Sequence, residues 1–327
     1  MLRKVLGDVQ IFLICLNPAN NLIKFHQTIL CMMKTLLLLF AIALGVFFPY
    51  GHEYTFLIRY FLMLMLFFSF LDVKIDKKII RKSHFVILGT VIFVSIIVYF
   101  LLKPFNQILA ETAFVTAIAP TAIAAPVIIS LKKEKVEFVT FSLLLNNVSI
   151  ALLLPFLLPL LMNSGSDISV GKVLIPVITT LSIPFAAAQL IKFISPKIWQ
   201  RLINWKDSSF YILVINIYIA TSEASYYIRS ELTNSLEIVF LIAAISASLC
   251  ILFFTLGWFI GGQEFSSEAS QSLGQKNNAF TIWISLTFIN PLAVLGPVFY
   301  VFIQNIYISW ELYKHHHAVD SVFGNDR

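Results

Sequence analysis

The sequence predicts an all-α integral membrane protein with ten transmembrane helices. Of its 327 residues, 59% are apolar and only 12% are charged, whereas ordinary soluble domains carry about a quarter charged residues. The apolar residues form long continuous runs, and a membrane-spanning helix needs about 20 of them. This composition excludes a disordered chain, a disulfide scaffold and a cytosolic enzyme. Continuous runs also argue against the alternating pattern of an outer-membrane barrel.

Ten apolar stretches follow one another when the chain is read with a window of about 19 residues. They lie near residues 35–50, 55–72, 84–102, 107–131, 137–162, 172–194, 208–228, 236–261, 267–290 and 291–313. The last two stretches touch at Asn290 and Pro291, so the number ten needs independent support.

The basic residues provide that support. If the N-terminus lies inside, 18 of the 23 Lys and Arg residues fall in inner segments, and only Arg59, Lys103, Lys172 and Arg229 fall in or beside outer ones. This alternation fits the positive-inside rule. We therefore expect a multi-pass protein of a cell membrane, of the bacterial inner-membrane type, with both termini cytoplasmic. The net charge of +6 then reflects cytoplasmic loops, and no nucleic-acid partner is predicted.

Two of the ten spans contain helix-breaking or polar residues near their middle. In the fourth span, Pro120 and Pro126 enclose Thr121 and several alanines, and prolines in mid-span kink or unwind a helix. The ninth span has a polar run next to a glycine. This run consists of Ser272, Gly274, Gln275, Lys276, Asn277 and Asn278.

Lys276 is the charge that topology does not explain. It lies about ten residues into its span, which places it near the bilayer midplane. An ionisable residue at that depth is costly and marks a candidate functional site. A run of amides and a lysine is explained by a broken helix whose freed polar groups line a wet cavity.

The two breaks occupy equivalent places, in the fourth span of the first five and the fourth span of the second five. Two halves of five spans have opposite orientations, and broken helices at matching places in inverted halves are typical of secondary transporters. The sequence therefore predicts two inverted five-helix repeats, residues 35–162 and 163–313, with discontinuous, crossed helices four and nine. A cytoplasmic segment (1–34) precedes them and a cytoplasmic tail (314–327) follows.

Other polar residues lie inside the predicted spans. Glu111 precedes Pro120 by about 13 Å of helix rise and either binds a cation or proton or lies near the outer interface. Asn147, with its neighbour Asn146, either lines the cavity or hydrogen-bonds between helices. The sequence predicts no catalytic residues, no metal site and no cofactor, except Na+ or H+ as a coupling ion.

The residues of the two breaks resemble the bile acid:sodium symporter family and its wider superfamily of bile, arsenite and riboflavin transporters. The resemblance covers roughly residues 35–313 and is most specific in Glu111–Pro126 and Ser272–Asn278. It implies a core domain that contains the crossed helices, a panel domain that moves relative to it, and uptake of an organic anion together with sodium.

Several positions depart from the sodium-coupled pattern. Where the family offers Ser and Asn side chains to sodium, this sequence has Ala125 and Pro126, and the family's Glu and Gln ligands fall at Ser272 and Lys276. A hard cation requires oxygen ligands, and an ammonium repels sodium. We expect Lys276 to replace part of the bound sodium or to pair with an anionic substrate. Coupling is then to fewer sodium ions, to protons, or absent.

The function expected from the sequence is secondary active transport of a small organic anion by alternating access, without enzymatic activity. Its partners are that anion and membrane lipid. The alternatives are an auxin-efflux-type carrier and, from a different class, a membrane-embedded enzyme acting on lipid or prenyl substrates. The residues expected to bind substrate or ion are Lys276, Asn277, Asn278, Gln275, Ser272, Thr121, Glu111 and Asn147, with Pro120, Pro126 and Gly274 shaping the crossover backbone.

Overall fold

A computed structural model describes residues 33–34, 36–71, 80–162, 169–231 and 236–323. Within these ranges the chain consists of α-helices, short 3-10 helices and turns, and it has no strand apart from one isolated bridge. The predicted N-terminal segment (1–34) lies almost entirely outside the described residues.

The described ranges contain twelve α-helices. They are α1 (Leu36–Phe47), α2 (Leu57–Phe70), α3 (Lys82–Leu102), α4 (Gln107–Ala117), α5 (Ala125–Leu131), α6 (Val136–Leu161), α7 (Val170–Ile194), α8 (Pro196–Ile203), α9 (Ser209–Glu231), α10 (Leu236–Gly274), α11 (Asn278–Phe288) and α12 (Leu295–Phe323). Short 3-10 helices cover Pro49–Tyr54, Lys206–Ser208 and Pro291–Val294.

Five helical segments are long and apolar enough to cross a membrane. They are Lys82–Leu102, Val136–Leu161, Val170–Ile194, Leu236–Gly274 and Pro291–Lys314. Helices α1, α2 and α11 are apolar but shorter. Many large apolar side chains are exposed on the outer faces of these helices, where lipid rather than water is their suitable solvent. Together with the composition, these helices identify the chain as an all-α membrane protein.

Three elements differ from the sequence-based expectation. Helix α9 matches the predicted span near 208–228 but is less apolar than the five long segments, because Thr221, Ser222 and Ser225 lie in its second half. The predicted tail (314–327) is helical up to Phe323, since no proline or glycine interrupts the chain before Gly324. The short helix α8 was not predicted.

Helix α10 reverses direction in its middle, so that it forms a helical hairpin. Gly262 has a φ of 62°, a backbone conformation that glycine adopts without steric cost. The first arm (236–261) and the second arm (266–274) then run side by side. The Ser270 hydroxyl joins them by donating to the Phe254 carbonyl at 2.9 Å. This reversal brings the end of the second arm, next to Lys276, into the middle of the bundle.

The helices pack in two groups. In the flanking group, α2 packs against α7 and α9, and α1 packs against α9. In the crossover group, α3 packs against α4 and α10, α5 packs against α6, and α10 packs against α12. The two groups meet where α11 contacts α2 and α9, and where α6 contacts α7. The candidate site lies inside the crossover group and along this boundary.

Candidate functional site

Both predicted interruptions are confirmed as breaks in helical structure. Helix α4 ends at Ala117 and α5 begins at Ala125, whereas α10 ends at Gly274 and α11 begins at Asn278. The non-helical segments between them cross inside the bundle, and we call this region the crossover (118–124 and 275–277). Its residues are almost all shielded from solvent.

The two segments of the crossover are joined by an antiparallel bridge between Thr121 and Lys276. The Ala122 amide donates to the Gln275 carbonyl at 2.9 Å, and the Asn277 amide donates to the Pro120 carbonyl at 2.8 Å. A broken helix leaves backbone donors and acceptors unpaired, and inside a membrane protein each of them is costly unless it finds a partner. The bridge supplies these partners and fixes the two breaks to each other.

Thr121 is the side chain that connects the crossover to α6 and to the second arm of α10. Its hydroxyl donates to the Ser272 carbonyl at 2.6 Å and accepts a hydrogen bond from the Asn146 amide at 2.7 Å. The Thr121 carbonyl accepts another from the Asn147 amide at 3.0 Å. Of the two roles considered for Asn146 and Asn147, hydrogen bonding between helices is therefore observed.

Lys276 is buried, with only 2% of its surface exposed. Its ammonium lies 3.9 Å from the ring centroid of Phe253, in the first arm of α10, and the Cys250 thiol lies nearby, in contact with the Tyr300 hydroxyl. Its backbone amide donates to Gln304 Oε1 at 3.0 Å. No acidic side chain of the described residues forms an ion pair with it. The side-chain nitrogen of Lys276 is therefore held inside the crossover group against an aromatic face.

Several buried polar atoms around the crossover have no hydrogen-bond partner among the described residues. Their unsatisfied state costs about 1–3 kcal/mol each unless another group engages them, so they indicate where a polar solute, ion or water binds. These atoms are Ser142 Oγ, Asn146 Oδ1, Ser272 Oγ, Gln275 Oε1, Asn277 Nδ2 and Asn278 Oδ1.

A cavity of about 230 Å³ lies beside the first break, between the two helix groups. Pro126 and Ser130 of α5 and Thr140 of α6 form its wall on one side, and Ser69 of α2 and Lys206 complete it on the other. Its described lining includes hydroxyl groups and a lysine but no acid. Residues 272–278 do not line this cavity, so the ammonium of the second break does not reach it.

Glu111 lies apart from the crossover contacts. It is 6% exposed, accepts a hydrogen bond from Gln107 Nε2 at 2.8 Å, and is contacted by Asn290 Nδ2 at 3.5 Å. The structure therefore brings together Thr121, Ser272, Gln275–Asn278 and Asn147. Glu111 lies away from them, six residues before the end of α4, beside Gln107 and Asn290.

A buried polar chain that the sequence did not predict leads from the α5–α6 turn towards the crossover. Lys132 Nζ lies 3.0 Å from Glu311 Oε1. Gln271 donates to the other carboxylate oxygen of Glu311, and Gln275 donates to Gln271. The spacing of four residues between Gln271 and Gln275, which places them on one helix face, is the signal that could have indicated this chain.

Comparison with known proteins finds no match to any protein-family model and none to any curated protein.

Proposed function

We propose that this protein is a secondary active transporter that moves a small organic anion across a cell membrane by alternating access. The observation that carries the proposal is the antiparallel bridge between Thr121 and Lys276, which joins two interrupted helices in the middle of the bundle. Interrupted helices that meet at mid-depth are how secondary transporters offer backbone groups to a solute. A protein that needed only stability would retain continuous helices, because these satisfy every backbone group.

The helix order supports the proposed architecture of two inverted repeats. If α4 and α5 form one span, and the second arm of α10 forms another with α11, the described helices give ten spans. The broken spans are then the fourth of each half. In the topology that follows from the basic loops, the cavity at Lys206 faces the cytoplasm.

The chemistry of the cavity supports an anionic solute. The hydroxyl groups of Ser69 and Ser130 and the side chain of Lys206 line it, whereas the Thr140 hydroxyl donates to the Val136 carbonyl at 2.9 Å. The unpartnered amide and hydroxyl atoms around the crossover, among them Ser142 Oγ and Asn146 Oδ1 of α6, are a second set of polar groups without a hydrogen-bond partner among the described residues. These groups suit a small polar anion better than an uncharged lipid.

Lys276 supports weakened sodium coupling. By the resemblance to the bile acid:sodium symporter family, Lys276 and Ser272 replace two sodium ligands, and the Lys276 ammonium lies against Phe253 rather than in the cavity. Because its ammonium lies away from the cavity, Lys276 is better placed to substitute for a bound sodium ion than to pair with the substrate. Coupling to fewer sodium ions, to protons, or to neither ion follows.

Uptake into proteoliposomes tests this function. Purified protein is offered a panel of radiolabelled organic anions with either sodium or choline as the external cation. We expect uptake of at least one anion that continues in choline and is lost in the Thr121→Val variant, but not in the Thr90→Val variant. Uptake that stops without sodium contradicts coupling to protons or to neither ion and leaves coupling to fewer sodium ions, and a protein that carries no anion under either condition contradicts the transporter proposal.

The direction of net transport is a separate measurement. An auxin-efflux-type carrier would share this architecture but release the solute from the cell. Efflux from preloaded right-side-out vesicles, compared with uptake under the same gradient, distinguishes the two directions.

A further inference from the structure

Arg59 connects the two helix groups at a distance from the cavity. It lies two residues inside α2, where its Nε donates to Thr180 Oγ1 at 2.9 Å and its Nη2 donates to Thr179 Oγ1 at 2.7 Å, both in α7. Its guanidinium carbon lies 5.9 Å from the ring centroid of Trp283 in α11. Arg59 therefore reaches from the flanking group to the helix that leaves the crossover.

The guanidinium is oriented in advance by fixed neutral groups. The Thr179 hydroxyl donates to the Ile175 carbonyl at 2.8 Å, so its lone pairs remain for Arg59. Thr180 is fully buried and Trp283 is 3% exposed, so neither can move freely. The two threonines engage two of the five N–H groups of the guanidinium, which leaves the others for a further acceptor.

The charge of Arg59 has no acidic partner among the described residues. Arg59 is only partly buried, near the start of the 14-residue helix α2, so the N–H groups that the threonines do not engage remain accessible. Lys132, by contrast, is paired with Glu311 at 3.0 Å. Arg59 is therefore held ready for an acceptor that does not come from the described part of the chain.

The position of Arg59 places it on the other side of the crossover from the cavity. Ser69, which lines the cavity, follows Arg59 in α2 by ten residues, about 15 Å of helix rise. Trp283 follows Asn278, the first residue of α11, by five residues, about 7.5 Å of rise. Arg59 and Lys206 thus provide positive charge at opposite ends of the same boundary between the helix groups.

We propose that Arg59 binds the carboxylate of the transported anion on the side of the crossover opposite to the cavity. This inference rests on the proposed transport function and names the chemical group that the solute carries. The planar fork of an arginine matches the two oxygens of a carboxylate, whereas a lysine offers a point charge. The site therefore selects carboxylates over uncharged molecules of the same shape.

A ligand-dependent thermal shift tests the assignment. The probes are benzoate, octanoate, glutarate and cholate, each compared with its primary amide, which keeps the shape and removes the charge. Purified wild type is compared with Arg59→Gln, Arg59→Lys and Thr179→Val. Lys172→Gln, a loss of the same charge at an exposed position of α7, is the matched control. Apparent affinities follow from the rise of Tm with ligand concentration.

We expect wild type and Lys172→Gln to bind at least one carboxylate ten or more times tighter than its amide. Arg59→Gln should bring that preference to within about twofold. Arg59→Lys and Thr179→Val should retain only part of it, because the charge remains while the oriented fork is lost.

Two other outcomes have distinct meanings. If Arg59→Gln lowers the Tm without ligand but keeps the full carboxylate preference, Arg59 only joins the two helix groups and this assignment is wrong, whereas the transport proposal stands. If no carboxylate stabilises wild type more than its amide, the assignment of a carboxylate to Arg59 is contradicted, whereas the anion-transport proposal is decided separately by the uptake experiment. If Arg59→Gln does not fold, the ratio of carboxylate to amide affinity in Arg59→Lys and Thr179→Val decides whether the assignment is correct.

Discussion

Thr121 and Lys276 belong to different halves of the chain, yet they face each other in an antiparallel bridge with backbone hydrogen bonds on both sides. Each residue stabilises the break in which the other lies. A change at either position should therefore affect both interrupted helices.

Replacing Thr121 with valine should destabilise the crossover. The substitution keeps the shape but removes the hydroxyl that bonds to the Ser272 carbonyl and the Asn146 amide. Leaving two buried groups unpaired costs about 1–3 kcal/mol each, so the Tm in detergent should fall by several degrees. The control is Thr90→Val, whose hydroxyl bonds only to Val86 in its own helix. Equal effects of the two substitutions would show that Thr121 has no special role.

Replacing Gly274 with alanine should destabilise the junction of α10 and the crossover. A methyl group there would collide with the ring of Phe254, and this ring cannot withdraw because it packs against Tyr307 with a centroid distance of 4.1 Å. Overpacking of this kind costs about 1–3 kcal/mol. In Gly89→Ala the new methyl group meets no atom within 4 Å, so the Tm should stay unchanged or rise slightly. A tolerated Gly274→Ala would contradict the close approach of the two arms.

Breaking the pair of Lys132 and Glu311 should cost much more than breaking an exposed pair. Their side chains are 6% and 18% exposed, and removal of one partner of a buried pair costs about 3 kcal/mol. The exposed pair of Lys135 and Glu264 offers the control, because such pairs contribute less than about 1 kcal/mol.

The measurement is the Tm of Glu311→Ala beside that of Glu264→Ala. The double variant Lys132→Met with Glu311→Met should recover part of the loss, because the buried ammonium is removed together with Glu311 and only Glu134, which is 28% exposed, loses its ion-pair partner. If the double variant is less stable than Glu311→Ala, the hydrogen bonds of the polar chain stabilise the fold beyond the pairing of the two charges.

Restoring oxygen ligands should create a response to sodium. By the resemblance stated for the two breaks, Ser272→Glu with Lys276→Gln returns two sodium ligands to the crossover and removes the ammonium that repels the ion. The Tm of wild type should be the same in sodium chloride and choline chloride, whereas the Tm of the double variant should rise with sodium by mass action. Lys276→Met, which removes the charge without adding a ligand, is the control. A wild-type Tm that already rises with sodium would show that a sodium site remains and would contradict its complete loss.

The interrupted helices could be predicted because their cause is local. Pro120 and Pro126 interrupt a helix wherever they occur, and a run such as Gln275–Asn278 cannot face lipid. Helices α3, α6 and α7 agree with their predicted spans to within two residues, since the length of an uninterrupted apolar run determines the length of the helix. The hairpin turn at Gly262 also has a local cause, because glycine adopts a positive φ without steric cost.

The directions and partners of the charged side chains could not be predicted. The sequence located Lys276 at mid-depth, but its ammonium lies against Phe253, which comes from the first arm of the α10 hairpin. The sequence places Arg59 at an outer helix end, but only the structure shows its contacts with Thr179 and Trp283, which bring together α2, α7 and α11.

For this protein, the sequence alone determined that the chain is an apolar helical bundle with two polar breaks, because composition and helix-breaking residues act within one turn of the backbone. Only the tertiary structure decided that the breaks pair at Thr121 and Lys276, and that Lys132 meets Glu311 while Lys276 and Arg59 meet no described acid. The reason is physical. The free energy of a buried charge depends on groups that are close in space, and folding, rather than chain order, sets which groups these are.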